Sequence, residues 1–575
     1  MAQERWAADV VRAAALLAFV GIVFAVSTGR TRLEAWRTPI DYRGDTWAFL
    51  AGVKAARDGH VRPLQPILIP ELNAPAGARW NDYPNRQPTL LFATGLLARA
   101  VGIFAAANLV LLLAHLLAAA AFYTAARYLR VRWEWAAAGA SAFALAPYIF
   151  YRSITHLSLS LYWPIPLAIL VVAECARPRG LTLGTRRFLL ALAVALVVGL
   201  GNVYYAGLMA QFLLLAAAAQ AFRRRWRLGL SPLLLAGVLV AAEVADNAHF
   251  FLARIREGPN PAAVVRPYGN LERFALKPIE LVLPSPGASL APWRALSTTY
   301  WKGALFRGEM GSAYLGLVGV LALLGLAFAA LLRRRTACAH PTILAVLWIV
   351  LFSMVGGLNG FVGLTGFSWF RATNRYSIWI LGLVLLAAAV RLSRRPWPRH
   401  VRALAAAATL ALVLADQVPW TPAEPIADIR AMLRSDETLV RSIEVLLPAG
   451  AMIFMLPVVD YPEGSHVHRL VDYEHFRPYL LSSRLRFSYG TETGRPGSDW
   501  PHEIEALSVP DAVRRLEEMG FAGVMLNRRG YADGGTEQLE ELRAAGPQER
   551  VEGADGNLVF VRLRPSVPGV TSPGG

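Results

Sequence analysis

The sequence predicts an α-helical polytopic membrane protein with a small α/β domain after its last span, and three observations lead to this fold class. Of the 575 residues, 55% are hydrophobic and only 17% charged, and the mean hydropathy of +0.39 is too high for a soluble globular chain. Apolar runs long enough to cross a bilayer alternate with short arginine-rich segments. After Asp416 the sequence becomes a mixture of polar and apolar residues, which is typical of a water-exposed domain.

The membrane domain is predicted to contain about eleven helices, because that many segments are apolar over the length that a bilayer requires. They lie at 10–28, 103–127, 133–150, 161–176, 188–201, 204–222, 228–251, 312–332, 341–357, 374–390 and 401–414. We interpret the first as an uncleaved anchor.

Arginines between the spans predict the sidedness of the chain. They cluster in alternate loops, at 127–132, 177–187, 223–227, 333–335 and 391–402. The positive-inside rule places these loops and the N-terminus in the cytoplasm, so the long segments 29–102 and 253–311 and everything after Asp416 lie outside a bacterial inner membrane. The same clusters account for the formal net charge of +18, and no nucleic-acid partner is predicted.

The predicted domain organisation follows from these spans. Residues 1–416 form the transmembrane domain with its two long external loops, 417–564 form an extracytoplasmic α/β domain, and 565–575 form a disordered tail. Within 417–564, helical patterns at 427–447, 510–519 and 537–545 alternate with strand patterns at 451–459, 523–526 and 558–563. Cys175 and Cys338 both fall near the predicted cytoplasmic face, so we expect no disulfide framework.

Two carboxylates follow the first span, in the stretch TPIDYRGDTWAFLAGVKAARD at 38–58. Asp41 and Asp45 lie four residues apart, and Asp45 begins a run with apolar residues at roughly helical spacing, as in a helix at a membrane interface. Acids at that position are within reach of a polar lipid headgroup. In the plainer interpretation, Asp45 caps the helix and Asp41 occupies a turn.

Short motifs in the predicted external segments carry a family resemblance. The pair D-Y-R-G-D opens the first loop, and it is followed by N-D-Y-P-N at 81–85, Y-R-S-I-T-H-L-S-L-S-L-Y-W-P-I-P-L at 151–167, L-P-S-P-G at 283–287 and R-A-T-N-R-Y-S at 371–377. Together they resemble the polytopic glycosyltransferases of the GT-C superfamily, in a bacterial subgroup with a C-terminal extracytoplasmic domain. The resemblance implies transfer of a sugar from a polyprenyl-phosphate donor to an extracytoplasmic glycan or lipid acceptor. It also implies inversion of the anomeric configuration of the sugar, and membrane lipids as partners of the enzyme.

The resemblance also implies that an acid of the first loop is the catalytic base. Asp45 matches the family's acidic position, and Asp41 is the second candidate because the motif aligns on either residue. Asp82, in N-D-Y-P, would be a further acid that binds substrate. If a divalent ion such as Mg²⁺ or Mn²⁺ is used, these three carboxylates are the expected ligands, although members of the superfamily also work without a metal. The spacing alone does not choose between these alternatives.

Cations near the predicted external helix ends are candidates for binding the donor phosphate. Arg371 and Arg375 lie where a turn enters the tenth span, and Arg152 lies at the end of the third. Guanidinium groups suit phosphate because their planar fork donates two parallel bonds. His156, four residues after Arg152, would bind a phosphate or a sugar hydroxyl. Alternatively, the arginines only extend to the membrane interface and His156 only ends a helix.

Acids near the outer end of the seventh span form another candidate group. Glu243 and Asp246 are three residues apart and share a helix face. Ionisable groups at membrane depth are costly and therefore indicate a functional cavity. Pairing with Arg254 or Arg256 just beyond is the alternative.

In the tail, His466, His468, Asp472 and His475 are residue types that bind zinc, but their spacing matches no known site. The preferred functional interpretation is a surface that recognises acceptor sugars through aromatic rings, and the alternative is a purely structural loop. The rings are those of Tyr461, Tyr473, Tyr489 and Trp500.

Two other classes of protein share this composition: a lipid-linked sugar flippase or transporter, and a non-catalytic envelope assembly protein. A transporter should show paired repeats and interrupted half-helices, whereas this sequence has no repeat of fixed period. The sequence also lacks a Walker A loop, a G-x-S-x-G elbow and an H-E-x-x-H motif. These absences exclude a P-loop ATPase and argue against an acyl hydrolase or a metalloprotease.

Overall fold

The structure, a computed structural model, describes residues 2–83, 86–284, 291–309, 311–332, 341–420, 425–464, 467–495, 497–545 and 549–565. Some features noted in the sequence fall outside these residues. They are parts of the N-D-Y-P-N and L-P-S-P-G motifs, the arginines at 333–335, Cys338, His466 and the tail from 566 onwards.

The chain divides into two compact units, each assembled from several separate stretches. The helical unit comprises Met1–Arg32, Leu109–Ala245 and Val265–Pro422. The mixed unit comprises Leu33–Asn108, Asp246–Val264 and Ala423–Gly575. The mixed unit thus contains both the predicted first loop and the C-terminal region. The sequence predicted that these two segments belong to different domains.

Apolar helices dominate the helical unit, because long runs of Ala, Leu and Val satisfy their backbone hydrogen bonds internally. Its main helices are Ala2–Ser27, Ile103–Tyr128, Trp133–Ala144, Pro147–Arg152, Leu157–Ser160, Ile165–Ala176, Arg186–Gly199, Val203–Phe222, Trp226–Asp246, Ala291–Gly303, Gly316–Leu332, Pro341–Ser353, Leu358–Leu364, Ser377–Ser393 and Arg399–Asp416. Shorter helical segments are Gly269–Arg273, Pro278–Leu281 and Thr373–Tyr376.

Five helices in the described part of the chain are long and apolar enough to cross a membrane. They are Ala7–Ser27, Ile103–Tyr128, Val203–Phe222, Trp226–Asp246 and Thr373–Ser393. Shorter apolar helices are Pro88–Val101, Ile165–Ala176, Gly316–Leu332 and Pro341–Ser353. These helices confirm the predicted class of a multi-pass, mainly α-helical membrane protein. The number of about eleven spans stays a prediction.

Two of the predicted spans are interrupted, and local sequence explains one of them. The segment predicted at 133–150 ends as a helix at Ala144 and resumes at Pro147. Pro147 has no backbone N–H and pushes Ala146 into an extended conformation, observed at φ −58° and ψ 144°. The segment predicted at 228–251 is interrupted at Asn247.

In its described residues, the mixed unit combines helices with seven strands. Its helical segments are Leu33–Arg37, Asp45–Arg57, Pro88–Val101, Ala248–Glu257, Ile426–Leu446, Phe476–Leu481, Trp500–Glu505, Val509–Glu518, Arg528–Gly530 and Thr536–Ala544. The strands are β1 (Leu68–Ile69), β2 (Ala78–Arg79), β3 (Met452–Leu456), β4 (Arg486–Phe487), β5 (Phe521–Asn527), β6 (Arg550–Glu552) and β7 (Leu558–Arg562).

Five of these strands form a mixed sheet in the order β4-β3-β5-β7-β6. β3 pairs in parallel with both β4 and β5, whereas β7 is antiparallel to β5 and β6. Apolar side chains of the central strands, such as Phe454, Val524 and Val559, pack with Leu516 and Leu539 from the adjacent helices. This region confirms the predicted C-terminal α/β fold. Strands β4 and β6 were not predicted, because two or three residues are too few to show an alternating pattern.

The predicted first loop is attached to the edge of this sheet. The N–H of Phe487 donates to the carbonyl of Glu71 at 2.8 Å, and the N–H of Ala74 donates to the carbonyl of Phe487 at 2.9 Å. Trp80 Nε1 donates to the carbonyl of Gly490 at 2.6 Å. These backbone contacts join stretches about four hundred residues apart into one folded unit.

Helix Asp45–Arg57 begins where the sequence predicts, but its surroundings differ from the expectation. Most of its residues are buried within the mixed unit instead of forming an interfacial face. It packs on helix Pro88–Val101, an apolar helix within the segment 29–102 that the sequence predicted as an external loop. A Cβ added at Gly95 would lie 2.6 Å from the Cβ of Ala56, so this close helix contact requires glycine.

Candidate functional site

A buried ionic cluster in the helical unit contains two of the three arginines predicted to bind phosphate. Arg152 ends helix Pro147–Arg152, and Arg375 lies in the turn that leads into helix Ser377–Ser393. Both guanidinium groups donate to the same carboxylate, that of Glu309: Arg152 Nη2 lies 2.5 Å from Oε2, and Arg375 Nε lies 3.2 Å from the same oxygen. Arg375 Nη2 additionally contacts Oε1.

The polar groups around this cluster hold its geometry. The hydroxyl of Ser312 accepts a hydrogen bond from Arg152 Nη2 at 3.2 Å and one from Asn374 Nδ2 at 3.3 Å. It donates to the carbonyl of Glu309 at 2.8 Å. Arg375 lies over the ring of Tyr204, with 4.6 Å between the guanidinium carbon and the ring centroid. The positions of both arginines are therefore fixed by several contacts.

Arg152 has donors left over. Its side chain has no solvent exposure, yet Nε and Nη1 have no hydrogen-bond acceptor among the described residues. The guanidinium carbon lies 5.2 Å and 5.4 Å from the ring centroids of Tyr148 and Tyr151. A buried donor without an acceptor costs about 1–3 kcal/mol. The unused donors are suited to an anion with several oxygen atoms.

Glu309 is held in its charged form. Burial by itself would raise the pKa of its carboxyl group, but the charges of Arg152 and Arg375 outweigh burial and lower that pKa well below its ordinary value. The cluster therefore carries two positive charges and one negative charge near neutral pH, which leaves a net positive charge.

The other predicted residues near this cluster take different positions. Arg371 lies over Phe274, with 5.1 Å from the guanidinium carbon to the ring centroid. The backbone N–H of His156 donates to the carbonyl of Arg152 at 2.9 Å, so the two residues are joined by one turn that follows the helix. Glu243 is partly exposed on helix Trp226–Asp246.

The two first-loop acids lie in the mixed unit. Asp45 is the first residue of helix Asp45–Arg57 and is exposed. Gly44 precedes it with φ 49°, a conformation that favours glycine. Asp41 is more enclosed, and one of its oxygen atoms lies 3.4 Å from Arg43 Nε. Burial, and after it the negative charge of Asp45, raise the pKa of Tyr473.

Asp82 is tightly engaged by neighbouring side chains. Arg495 donates to both of its carboxylate oxygens, with Nε 2.7 Å from Oδ2, and Asn260 Nδ2 donates to Oδ2 at 3.0 Å. The three-acid metal site suggested for Asp41, Asp45 and Asp82 does not fit this arrangement, because Arg495 occupies Asp82. Among the residues that the structure describes, no group of three or more His, Cys, Asp or Glu side chains is arranged to hold a metal ion. We therefore derive no step through a metal.

The carboxylate of Asp246 contacts the N-terminus of helix Pro88–Val101. Its Oδ1 accepts a hydrogen bond from the backbone N–H of Thr89 at 3.1 Å, at the start of helix Pro88–Val101. The free N–H groups of a helix N-terminus favour a carboxylate at this position. The structure thus gives Asp246 the role of a helix cap, and does not show it pairing with Arg254 or Arg256.

Glu309 is the main residue that sequence reasoning missed as part of the site. It lies in a cation-rich loop between Arg266 and Ser312 that also contains Glu272 and Glu280, so the loop sequence does not single it out. Its arginine partners lie 157 and 66 residues away. A single sequence does not show which distant residues meet.

The sequence matches no protein-family model and no curated protein. Solved structures that this chain resembles include the archaeal oligosaccharyltransferase AglB from Archaeoglobus fulgidus, in complex with an inhibitory peptide and a dolichol-phosphate. The two sequences are 12% identical, the TM-score is 0.43, and the match covers 97% of this chain and 75% of that chain. The Archaeoglobus fulgidus oligosaccharyltransferase in complex with Zn and sulfate shows 13% identity, a TM-score of 0.43, and coverage of 96% and 74%. ArnT from Cupriavidus metallidurans in the apo state shows 14% identity, a TM-score of 0.42, and coverage of 99% and 100%.

Proposed function

We propose that this chain is a GT-C-type membrane glycosyltransferase that moves a sugar from a polyprenyl-phosphate donor to an extracytoplasmic glycan or lipid acceptor. The observation that carries the proposal is the pair of arginines on Glu309, with two unused donors on the fully buried Arg152. A lipid phosphate supplies the oxygen acceptors that these donors need. The motif resemblance of the sequence supports the same class of donor.

The chemistry of the phosphate fits the charges of the cluster. When the bond between the sugar and the phosphate breaks, negative charge develops on the phosphate oxygens. Fixed guanidinium donors in a water-poor site stabilise that charge without having to reorganise. Glu309 keeps Arg152 and Arg375 in place, and its negative charge offsets the repulsion between the two guanidinium groups.

Asp45 is the proposed catalytic base. Its exposed carboxylate accepts the proton of the acceptor hydroxyl while the acceptor oxygen forms a bond to the anomeric carbon. The bond from that carbon to the phosphate oxygen breaks on the opposite face, and its electron pair leaves with the lipid phosphate. This displacement inverts the anomeric configuration. Asp41, which is more enclosed and lies beside Arg43, is the second candidate.

The arginine clusters of the short loops support a cytoplasmic N-terminus in a bacterial inner membrane. Residues after Asp416 would then be extracytoplasmic, as an acceptor in the envelope requires. Modification of single introduced cysteines at exposed positions, such as Leu33 and Val445, tests this orientation in intact cells.

Transfer by purified protein tests the proposed function. Radiolabelled polyprenyl-phosphate monosaccharides serve as donors, with a cell-envelope glycan and lipid extract as acceptor. General base catalysis contributes about 10²–10⁴-fold, so Asp45→Asn should lower the rate by at least that lower factor. Asp428→Asn is the matched control, because Asp428 is also an exposed acid in the first turn of a helix of the mixed unit.

Equal transfer by wild type, Asp45→Asn and Asp41→Asn would remove the proposed mechanism. Transport of the labelled lipid across a vesicle membrane without transfer of the sugar would assign the chain to the alternative class of flippases.

A further inference from the structure

A groove in the helical unit lies between helices Ile103–Tyr128, Ile165–Ala176 and Arg186–Gly199. It encloses about 430 Å³ and is apolar over most of its length. Leu190 and Val197, which line it, are 62% and 38% exposed, so the groove is open at its side. Exposed apolar surface on apolar helices is where a membrane protein contacts lipid.

The length of the groove matches one lipid chain. Its lining residues recur at intervals of three and four on two of the helices, so each helix presents one face to it. They are Leu167, Leu170, Val171 and Glu174 on one helix, and Arg187, Leu190, Ala191 and Val194 on the other. From Arg187 to Val197 the groove follows about 15 Å of helix at 1.5 Å per residue. This is half of the roughly 30 Å hydrocarbon core, or the depth of one leaflet.

The charged residues that line the groove lie at one of its ends. Glu174 is in the last turn of its helix, and Arg187 is in the first turn of the next. The hydroxyl of Tyr128 donates to Glu174 Oε1 at 3.4 Å, and Arg177 Nη1 donates to the same oxygen. The negative charge of Glu174 is therefore balanced by Arg177.

Arg187 is a cation without a matching acid. It is exposed, and in the part of the chain that the structure describes its guanidinium has no ion-pair or hydrogen-bond partner. Arg186 beside it is also exposed, and Glu174 is the only acid in the sequence from 163 to 227. Helix Arg186–Gly199 begins here, and its N-terminus adds partial positive charge.

Arginines of the next loop add to this charge. Arg223 Nη1 donates to the carbonyl of Ala176 at 2.7 Å, and Arg225 Nη1 donates to the carbonyl of Pro178. Carbonyl oxygens hold these guanidinium groups in position without neutralising them. This end of the groove is therefore strongly positive and complementary to an anionic headgroup.

From this charge and shape we infer that the groove holds one acyl chain of an anionic phospholipid, with the lipid phosphate bound to Arg187. Lipid tails are as apolar as the groove, so the chain gains little by leaving the bilayer and the headgroup determines which lipid binds. The positive-inside rule places the arginine end in the cytoplasmic leaflet. Such a lipid is a resident partner distinct from the sugar donor, so its binding goes beyond the proposed function and does not depend on it.

The test measures lipid binding by the full-length protein in detergent. Native mass spectrometry during titration with phosphatidylglycerol, which is anionic, or phosphatidylethanolamine, which is zwitterionic, gives the Kd of the first lipid bound. Arg187→Gln removes the cation, and Arg399→Gln is its matched control, because Arg399 is also an exposed arginine in the first turn of a helix predicted to begin at the cytoplasmic face.

A second pair of variants tests the groove itself. Val194→Trp places a large ring in the groove. Leu189→Trp is its control, because Leu189 is 58% exposed on the same helix and does not line the groove.

We expect wild type to bind phosphatidylglycerol at least about 5-fold more tightly than phosphatidylethanolamine, and Arg187→Gln to remove most of this preference. Val194→Trp should raise the Kd for phosphatidylglycerol about 3-fold or more, because the chain loses its contacts. Arg399→Gln and Leu189→Trp should match wild type. A phosphatidylglycerol with a diazirine midway along one chain should label wild type between 167 and 194. All four variants should keep the melting temperature of wild type without added lipid.

Three results would overturn the inference. Equal affinity of wild type for the two phospholipids would show that the groove holds only bulk lipid. Wild-type affinity for phosphatidylglycerol in both Arg187→Gln and Val194→Trp would place the bound lipid elsewhere. Displacement of the diazirine label by a polyprenyl phosphate would assign the groove to the chain of the donor.

Discussion

Arg152 and Glu309 form a buried ion pair between residues 157 positions apart, with 2.5 Å between Nη2 and Oε2. Such pairs contribute little net stability when the cost of removing both charges from water is included. Two further donors of Arg152 remain unused, which increases that cost. An arrangement that is expensive to bury and leaves donors available is more typical of a binding site than of a core contact.

The first prediction concerns the shape of these cations and not only their charge. Arg152→Lys and Arg375→Lys should each lower kcat/KM for the lipid donor by about 10–100-fold, because a lost charge-assisted hydrogen bond is worth about 1.5–3 kcal/mol. Steady-state transfer with varied donor concentration measures this effect. Arg402→Lys is the control, because Arg402 also pairs with a buried acid, Glu134, and its side chain is 12% exposed like that of Arg375. Equal losses in all three variants would contradict a specific phosphate role.

A second prediction concerns pH. The pKa of Glu309 is lowered in the folded protein, so its ion pairs stabilise the fold above the unfolded value of about 4.3. That contribution is lost as the pH falls toward the folded value. Glu309→Gln should therefore have a lower melting temperature than wild type, by a constant amount from pH 8 to about pH 5, and the difference should shrink below about pH 4.

Thermal unfolding of both proteins across this pH range measures the difference. A difference that grows as the pH falls would show that Glu309 is protonated in the folded state.

The third prediction separates a structural role of Asp82 from a metal-binding one. Both oxygen atoms of its carboxylate contact Arg495, so Asp82→Asn should lower the melting temperature. A cycle with Arg495→Gln should give a coupling of about 0.5–3 kcal/mol. Any response of transfer to added Mg²⁺ or Mn²⁺ should be the same in Asp82→Asn and wild type. Loss of an ion response in a variant with unchanged stability would restore Asp82 as a metal ligand.

The regular elements could be predicted from the sequence wherever a pattern is local. The helix at Ile426–Leu446 and the strands β3, β5 and β7 appear within a few residues of their predicted positions. The helix repeats apolar residues at helical spacing, and each strand is a short, nearly continuous apolar run. Arg152 and Arg375 could also be singled out, since each lies at the end of an apolar run. What these elements contact could not be predicted in the same way.

Two of the missed features depend on contacts distant in sequence. Glu309 joins two arginines only in the folded chain, and Phe487 pairs with Glu71 across more than 400 positions. Neighbouring residues in the sequence carry no signal for these pairings. Helix Pro88–Val101 was missed separately, because all of 29–102 was predicted as one external loop.

The last prediction concerns Arg477, the centre of an ionic network within the mixed unit. Its guanidinium donates to both oxygens of Asp436, at 2.9 and 2.6 Å, to Glu474 at 2.9 Å and to Asp555 at 3.1 Å. Tyr42 of the predicted first loop donates to Asp436 at 3.2 Å, so the network links that loop to the C-terminal region. Arg477, Asp436 and Glu474 are each at most 2% exposed.

Arg477→Met keeps much of the side-chain volume but leaves the buried carboxylate of Asp436 without a cation and Glu474 with only Arg529, whose Nε lies 3.3 Å away. Removing one partner of a buried pair costs about 3–5 kcal/mol, a large part of the stability of a single domain. We expect Arg477→Met to become sensitive to limited proteolysis between 423 and 565, whereas the exposed Arg484→Met should resemble wild type. Adding Asp436→Asn and Glu474→Gln to Arg477→Met should restore part of the resistance, because no uncompensated charge is then buried. Full resistance in Arg477→Met alone would show that water reaches these carboxylates and that the network is not what holds the first loop to the C-terminal region.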